Sequence, residues 1–366
     1  MKPNFYPVIL AGGRGTRFWP LSRKRRAKQV LALDGKRTMI QHTVARLKPL
    51  AAEKSFWVIT NGDLDEVIAA QLPRIKPQQI IAEPAARNTA PAIGLAAFIL
   101  ARLDPAAVIG MFPSDHVIAD ENKFRKIIGE AAALASQGEN MVVLGIHPTR
   151  AETGYGYIEA GEKLSGGLLR VKRFTEKPNA VRAQEFVEAG NYFWNSGMFV
   201  WSAQTLANAL REHLSETSPY LEEIAAAFGT PGFEKAFARL YPKCENISVD
   251  YAVLEPRSAK GEHASNLYCI PSSFGWNDLG SWAALYEYHA EKNQVGGNVI
   301  HGIASFALDA EGNFVHAPTK FVAAVGVKNL VVVETDDALL ITTRENSQDV
   351  GKIVKHLDEK KLEKLL

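Results

Sequence analysis

The chain has 366 residues, of which 46% are hydrophobic, so it can bury a large core, and its length suggests about two domains. No stretch approaches the roughly 18 to 20 apolar residues that a membrane helix needs, and the N-terminus lacks a secretory pattern. We therefore expect a cytoplasmic protein without a membrane partner. The formal charge of +2 is too small to indicate nucleic acid as a partner, and two cysteines without metal-ligand spacing favour neither disulfides nor a zinc site.

Short apolar segments alternate with stretches of helical periodicity in the first part of the chain. The predicted strands are Tyr6–Leu10, Phe56–Thr60, Gln79–Ala82, Val108–Phe112 and Met141–Gly145. Predicted helices include Met39–Leu47, capped by Thr38, and Ala90–Leu103, with Pro91 in its first turn. The alternation predicts an α/β fold with a doubly wound, mostly parallel, Rossmann-like sheet, in which ligands bind beyond the carboxyl ends of the strands.

The pattern becomes mixed from about Gly154 to Trp282. The elements predicted there are the strands Gly156–Ala160, Leu168–Phe174 and Met198–Trp201 and the helix Ala180–Ala189. We interpret this part as the substrate half of the same domain.

Valine-rich segments punctuated by glycine and asparagine follow Asn293. The strands predicted there are Asn298–Leu308, Lys320–Val327, Leu330–Glu334 and Ala338–Thr342. The last segment places Val350, Ile353, Val354 and Leu357 on one helical face. We predict two domains, 1–292 and 293–366, the second being a small β domain with a terminal helix. We expect a homodimer through this C-terminal region.

A glycine-rich segment, LAGGRGTRFWPLS at residues 10–22, follows the first predicted strand. Its glycines let the backbone approach phosphates closely, and its exposed N–H groups form an anion-binding concavity. The residues expected to bind a nucleotide triphosphate are Leu10, Ala11, Gly12, Gly13, Gly15 and Thr16. A dinucleotide fingerprint would need glycine at Phe18, and a P-loop would need a terminal Gly-Lys-Ser/Thr, so both alternatives fail.

Basic residues crowd the same part of the chain. They are Arg14, Arg17, Arg23, Lys24, Arg25, Arg26 and Lys28. This crowding indicates an anionic ligand. For residues 23–26 we favour the interpretation as a solvated surface, whereas Arg17 and Lys28 gain a role from their context.

The glycine-rich segment, continued to Lys28 and Gln29, resembles the signature loop of sugar nucleotide pyrophosphorylases. The resemblance implies a nucleotide-diphospho-sugar transferase fold, with Arg17 and Lys28 as catalytic cations. Lys28 corresponds to the phosphate-binding lysine of the family. Ala27 departs from the proline that usually precedes this lysine, which implies a less rigid loop.

A second segment, Glu83 to Ala92, resembles the base-recognition segment of the mannose-1-phosphate guanylyltransferase branch of that family. Guanine presents adjacent N–H donors, which can bond to a carboxylate such as Glu83 or to nearby backbone carbonyls. The residues of this segment expected to bind the nucleotide are Glu83, Arg87, Asn88, Thr89 and Ala90. A helix start capped by Asn88 or Thr89 is the alternative, and both interpretations can hold together.

Pro113-Ser114-Asp115-His116 follows a predicted strand and resembles the metal-binding strand end of the family. The resemblance implies Ser114 and Asp115 as nucleotide-binding residues, with Mg²⁺ held by Asp115 and by a second, distant carboxylate at Asp278. Taken singly, each aspartate is more often a turn or cap residue. We expect His116 to be structural.

The sugar side is assigned from three short motifs and one predicted helix, which occur in the order that the family shows. The residues expected to bind the sugar phosphate are Gly154, Tyr155, Glu176, Lys177, Asn195, Gly197 and Asp250. Glu176 could accept bonds from sugar hydroxyls and Lys177 could hold the phosphate as a point charge. For Asp250, a carboxylate that stabilises the helix dipole is the alternative.

Taken together, the resemblance implies that GTP and mannose 1-phosphate give GDP-mannose and pyrophosphate through in-line attack on the α-phosphorus, with Mg²⁺ as cofactor. Some relatives carry an added barrel with isomerase activity, for which the segment after Asn293 is too short, so we expect a monofunctional enzyme. Three alternatives stay open: transfer with another base or sugar, a non-catalytic sugar-nucleotide sensor, and a nicotinamide dehydrogenase, which Phe18 disfavours.

Overall fold

The computed structural model describes residues 3–293 and 297–366 and divides them into two compact units. The first unit contains residues 3–12, 43–114 and 118–276, and the second unit contains residues 13–42, 115–117 and the described part of 277–366. Both units are therefore assembled from separate stretches of chain. The predicted domain boundary between residues 292 and 293 stays a prediction. In the described ranges, no helix combines the length and apolar character that crossing a bilayer requires.

The first unit is built on a nine-stranded sheet. The strands up to residue 277 are β1 (Asn4–Leu10), β2 (Trp57–Asn61), β3 (Ile80–Glu83), β4 (Ala107–Pro113), β5 (Val117–Ile118), β6 (Met141–Ile146), β7 (Tyr157–Lys163), β8 (Leu169–Thr175), β9 (Tyr192–Ser202), β10 (Leu267–Ser272) and β11 (Trp276–Asn277). The sheet order is β3-β2-β1-β4-β9-β6-β10-β8-β7. The α/β class is thus confirmed.

Parallel pairing covers β3, β2, β1 and β4, and also β6 with β10. Leu10 lies opposite Ile59 in β2 and Pro113 in β4, so these strands end at one edge, as the alternation predicts. Strand β9 is inserted antiparallel between β4 and β6, and β7 and β8 add further antiparallel pairs. Periodicity gives no information on which strands pair, so it did not indicate this insertion.

Helices alternate with the strands along the sequence. They are α1 (Met39–Leu47), α2 (Asp65–Gln71), α3 (Thr89–Leu103), α4 (Glu121–Ala135), α5 (Ala180–Ala189), α6 (Ala203–His213), α7 (Ser218–Ala227), α8 (Phe233–Leu240), α9 (Glu255–Ser258), α10 (Trp282–Asn293) and α11 (Val350–Glu359). Helix α3 is apolar on nearly every face, and its residues from Ala90 to Leu100 are buried, in contact with α6 and α7. Such a helix is stable only in the core of the unit.

The second unit contains short strands, most of which pair in parallel. They are β12 (Val299–His301), β13 (Ala304–Leu308), β14 (Phe314–His316), β15 (Phe321–Val325), β16 (Leu330–Glu334) and β17 (Leu339–Thr343). Strands β12, β14 and β16 pair in parallel, β13 pairs in parallel with β15, and β17 is an antiparallel edge. The predicted strand Asn298–Leu308 is wrong as one element, because it divides at Gly302, where a side chain would meet the Lys320 carbonyl at 2.9 Å.

The core of the second unit joins the start, the middle and the end of the chain. The Trp282 ring packs in tilted geometry against Phe18 and Phe314, with ring centroids 4.9 and 5.4 Å away. Its indole N–H donates to the Trp19 carbonyl at 3.1 Å. Burying these rings fixes residues 13–18 of the glycine-rich segment against α10 and the short strands.

Candidate active site

A polar pocket in the second unit brings together the residues on which the sequence prediction depends most. It has a volume of about 260 Å³ and includes Arg17, Lys28, Asp115 and Asp278 in its lining. The Lys28 ammonium donates to Asp115 Oδ2 at 2.8 Å and to the Asp278 carbonyl at 2.6 Å. We call this the phosphate pocket. Three residues that are far apart in sequence therefore meet, as predicted.

The Lys28 side chain is 6% exposed, whereas that of Asp115 is 32% exposed. A buried ammonium is costly unless it is paired, and Asp115 supplies the pairing charge. Burial by itself would raise the pKa of the Asp115 carboxyl, but the charges of Lys28 and His116 outweigh it and hold this pKa below its ordinary value. Asp115 therefore stays ionised. His116, which we expected to be only structural, lines the pocket as well.

Gly15 is required by the position of Lys28. Its φ of 60° lies in the left-handed region, and a Cβ built on it would lie 2.6 Å from the Lys28 Cβ. Only glycine fits there without moving the lysine. Two side chains that the sequence reasoning missed also brace the loop: Ser22 Oγ donates to the Gly15 carbonyl at 2.8 Å, and Gln29 Nε2 donates to the Gly13 carbonyl at 2.9 Å.

Arg17 is exposed and lies over the opposite wall of the phosphate pocket. Its guanidinium donates to the Gly280 carbonyl at 3.0 Å. The neighbouring Leu279 has a φ of 44°, which is unusual for a leucine, and its amide donates to Asn277 Oδ1 at 2.8 Å. This strained turn directs Asp278 and Gly280 toward the same pocket. The guanidinium N–H groups of Arg17 that do not bond to Gly280 can donate to an anion.

The donor set of the phosphate pocket fits a magnesium ion. Asp115 and Asp278 supply carboxylate oxygens, which are the ligands that Mg²⁺ prefers, and substrate phosphates and water can complete its shell. The cations Arg17 and Lys28 balance the two carboxylates, so a polyphosphate with a divalent ion would enter a nearly neutral lining.

In the first unit, the predicted base-recognition segment is organised around Glu83. Tyr241 donates its hydroxyl to Glu83 Oε1 at 2.6 Å, and Glu83 Oε2 lies 3.3 Å from the point where a side chain on Gly12 would begin. Burial raises the pKa of Glu83 to about 7, although the bond from Tyr241 opposes the rise. Sequence reasoning missed Tyr241, which stands 158 positions from Glu83 without any motif around it.

The start of α3 follows the capping interpretation. Asn88, with a φ of 62°, accepts a hydrogen bond from the Thr89 amide at 2.8 Å. Thr89 Oγ1 in turn accepts from the Val249 amide at 2.9 Å, and the Ala90 amide donates to the Ile247 carbonyl. Arg87 donates through Nη2 to the Pro242 carbonyl. These bonds tie the segment to the chain around Tyr241 and to the stretch that leads to Asp250.

The predicted sugar residues form a second polar group in the first unit. Asn195 Nδ2 donates to Asp250 Oδ1 at 2.8 Å, and Asn195 Oδ1 accepts from the Gly197 amide at 3.0 Å. Lys177 Nζ lies 3.2 Å from Glu176 Oε1. Burial first, and then the charge of Asp250, raise the pKa of Glu176 to about 7. Glu176 Oε2 is buried without a partner among the described residues, so it is free to accept from a sugar hydroxyl.

The remaining predicted residues lie at strand ends and turns. The Ala11 carbonyl accepts from Thr60 Oγ1 at 3.1 Å, and the Gly12 carbonyl accepts from Asn61 Nδ2 at 3.0 Å. The Ser114 amide donates to the Leu10 carbonyl at 3.1 Å. These bonds fix the backbone at the carboxyl ends of β1 and β4.

The motif around Gly154 and Tyr155 also has internal partners. The Gly154 amide donates to Glu152 Oε1 at 3.1 Å. The Tyr155 ring packs edge-on against Trp194 and Trp276, with centroids 5.2 and 5.4 Å away. Tyr155 is therefore held in an aromatic cluster of the first unit.

Comparison with known proteins gives one consistent result. The nucleotidyl transferase family model matches residues 6–295, and a MannoseP isomerase/GMP-like beta-helix domain model matches residues 304–357. Mannose-1-phosphate guanylyltransferase RfbM of Salmonella typhimurium is 40% identical over 97% of this chain and 72% of its own length. The mannose-1-phosphate guanylyltransferase of Escherichia coli K12 is 39% identical over 97% of this chain and 74% of its own length.

The fold agrees with this result. A crystal structure from Thermus thermophilus, described as mannose-1-phosphate geranyltransferase, superposes with a TM-score of 0.84 and 32% identity. The match covers 97% of this chain and 99% of that chain. The chain therefore belongs to the nucleotidyl transferase family, in which its relatives are mannose-1-phosphate guanylyltransferases, and it is an enzyme of this family.

Proposed function

We propose that the chain transfers GMP from GTP to mannose 1-phosphate and releases pyrophosphate. The observation that carries the proposal is the convergence of Lys28, Asp115 and Asp278 in the phosphate pocket beside the glycine-rich loop. The names of the similar guanylyltransferases support the choice of base and sugar.

The chemistry asks the protein to align two polyanions rather than to supply a base. A phosphate oxygen of mannose 1-phosphate, already an anion, bonds to the α-phosphorus of GTP as the bond from that phosphorus to the bridging oxygen breaks. The electron pair leaves with pyrophosphate. Lys28 and Arg17 stabilise the negative charge that passes to pyrophosphate, and the backbone amides from Gly12 to Thr16 hold the phosphates. Mg²⁺ held by Asp115 and Asp278 would neutralise part of the phosphate charge.

Guanine would be read by Glu83. Its Oε1 is already bonded to Tyr241, which leaves Oε2, next to Gly12, to accept from the N1–H and N2–H donors of the base. Adenine and the pyrimidines lack two adjacent N–H donor groups on one edge and would pair less completely with this oxygen, which costs affinity.

Mannose 1-phosphate would be held by the second polar group of the first unit. Glu176 Oε2 and the Asn195 amide would bond sugar hydroxyls, and Lys177 would pair with the phosphate. The bond between Asn195 and Asp250 fixes the orientation of the amide before the sugar arrives.

Pyrophosphate release measures this proposal directly. The purified chain is assayed with GTP, ATP, UTP and dTTP against mannose and glucose 1-phosphates and a heptose phosphate, with and without Mg²⁺. We expect GTP with mannose 1-phosphate and Mg²⁺ to give the largest kcat/KM. A preference for another base or sugar would replace the substrate assignment, whereas binding of GDP-mannose without release from any pair would indicate a sensor.

We also propose that the chain forms a homodimer through its C-terminal strands. In β13 and β15, Phe306, Leu308, Phe321 and Val325 share one face, and each is at least half exposed. A two-stranded sheet is marginal in water, and an apolar face of this kind is typical of an interaction surface. A second copy would bring an identical face across a two-fold axis.

A further inference from the structure

A second cavity of the second unit lies between the glycine-rich loop and helix α11. It has a volume of about 260 Å³, equal to that of the phosphate pocket. Thr16 lines both. The apolar part of its lining includes Trp19 and Val354. We call it the α11 cavity, and the proposed reaction assigns no task to it.

The charges that line the α11 cavity are mainly positive. Arg14, Arg23, Lys24 and Lys355 contribute four cations, and the acidic groups in the lining are Asp358 and the carboxylate with which the described chain ends at Leu366. Asp358 lies 3.9 Å from Lys24, a distance that gives only a weak pair at a surface. Among the residues that the structure describes, neither Arg14 nor Lys355 has an acidic partner within ion-pair distance. The lining is therefore short of negative charge.

Arg23 adds a second, independent observation. One of its terminal nitrogens, Nη2, pairs with Asp337 at 2.8 Å, and its guanidinium lies 5.4 Å from the centre of the Trp19 ring. The other, Nη1, is buried and has no hydrogen-bond partner in the described part of the chain. An unsatisfied buried donor on a charged group costs free energy, which an oxygen acceptor would recover.

We propose that the α11 cavity binds a small phosphorylated metabolite at a site separate from the phosphate pocket. The phosphate would pair with the Arg23 guanidinium, Lys355 and Arg14, and the small organic part would lie against Trp19 and Val354. Guanidinium groups suit phosphate because they donate in a planar fork. Since Arg14 and Thr16 belong to the glycine-rich loop, an anion bound here influences the loop that holds the nucleotide.

Calorimetry with two probes tests the site. Inorganic phosphate and glycerol 3-phosphate are titrated into the full chain with the catalytic site saturated by GDP-mannose, whose own binding is measured first. That first measurement tests the proposed reaction separately from the α11 cavity. We expect one phosphate site per chain that persists in the presence of GDP-mannose.

Two variants on the same helix give a matched comparison. Lys355→Gln should weaken the binding of both probes about tenfold, and Lys355→Glu should weaken it further, because each change removes or reverses a charge at the cavity. Lys352→Gln removes an exposed lysine that pairs with Asp349, and it should leave affinity within about twofold. Both positions are exposed, so melting temperatures should not change.

Either of two results would overturn the inference. Loss of all phosphate binding when GDP-mannose is present would make the α11 cavity part of the catalytic site. Equal affinities in Lys355→Gln, Lys352→Gln and the unmodified chain would mean that the cavity does not hold the anion.

Discussion

Lys28 is a buried, paired cation of the phosphate pocket. Its ammonium is almost fully enclosed, and both of its contacts, Asp115 Oδ2 and the Asp278 carbonyl, are short. Such an arrangement keeps a point charge fixed before a polyphosphate arrives. Fixed charge of this kind costs no reorganisation when charge develops in a transition state.

Replacing Lys28 with alanine should therefore damage catalysis far more than folding. We expect Lys28→Ala to lower kcat about 10²-fold to 10³-fold, since it removes a charge that stabilises the transition state. Thermal unfolding should shift by only a few degrees, because Asp115 can reach water once its partner is gone. Lys36→Ala, an exposed lysine of the same segment, is the control for both measurements. Equal losses of activity and stability would remove Lys28 from its catalytic role.

Glu83 should make guanine recognition depend on pH. Its pKa lies at about 7, raised from 4.5, so the carboxylate that we propose as the guanine acceptor is protonated progressively below pH 7. The KM for GTP should rise about tenfold per pH unit below this value in the unmodified enzyme. In Glu83→Gln it should be higher and flat between pH 6 and 8. If the KM for GTP changes with pH to the same extent in the unmodified enzyme and in Glu83→Gln, the assignment is contradicted.

Glu83 should also make the free energy of unfolding depend on pH, in the opposite direction: high pH favours guanine binding but lowers stability. Because the folded pKa of Glu83 is raised above 4.5, its protonated form favours folding, and this contribution is full below pH 4.5 and lost as pH rises through about 7. Glu83→Gln should therefore melt at a higher temperature, relative to the unmodified chain, at pH 8 than at pH 5. The comparison separates the charge of Glu83 from its role in binding.

At this scale, sequence reasoning identified charged residues that stand in short motifs and missed their distant partners. Lys28 and Asp115 were predicted because the short motifs around them resemble those of sugar nucleotide pyrophosphorylases, although a single aspartate after a strand is more often a turn or cap residue. Tyr241 could not be predicted, since nothing around it indicates Glu83. The interpretation of Arg23 as solvated is wrong, because Asp337, 314 positions away, pairs with it.

Among the elements, helix α3 shows how packing overrides helix propensity. Gly94 lies in its buried middle, where an added Cβ would meet Leu210 Cδ1 at 2.8 Å and Leu221 Cδ1 at 2.9 Å. Gly129, in the exposed face of α4, would gain a Cβ with no atom within 4 Å. The two glycines therefore differ in surroundings but share a helical backbone.

Substituting each glycine with alanine should give shifts of opposite sign. Gly129→Ala should stabilise the chain by about 0.5–1 kcal/mol through helix propensity. Gly94→Ala should destabilise it by about 1–3 kcal/mol, because overpacking outweighs the same gain. The midpoint of urea unfolding measures both. A stabilised Gly94→Ala would mean that α6 and α7 can move away from α3 at little cost.

Element prediction succeeded where the residue pattern is regular. Helices α1 and α5 have the predicted bounds, because apolar spacing and capping residues agree there. Strand β9 is longer than the predicted Met198–Trp201, since Asn195 and Gly197 interrupt its apolar run although they lie within the strand. The two interrupting residues are the ones proposed to bind the sugar, and they hide the apolar pattern of the strand.

At the scale of the whole molecule, the exposed face of β13 and β15 should decide the oligomeric state. Phe321→Glu places a charge on this face, at a residue that is 63% exposed, and should convert a dimer to a monomer in light scattering or sedimentation. Ser305→Glu, on the other side of β13, should leave the dimer intact. A monomer for the unmodified chain, or a dimer that survives Phe321→Glu, would exclude this surface.

The second unit also determines when during synthesis the phosphate pocket can form. Its parts are residues 13–42, 115–117 and 277–366, and Lys28 reaches a carbonyl 250 positions further along the chain. While a ribosome is still making the intervening sheet, the emerging lysine has no second anchor, and its long-range closure carries an entropic cost that later contacts must offset. A nascent chain that stalls before Asp278 would therefore contain the glycine-rich segment and Lys28 without a complete phosphate pocket. We expect such a chain to be inactive.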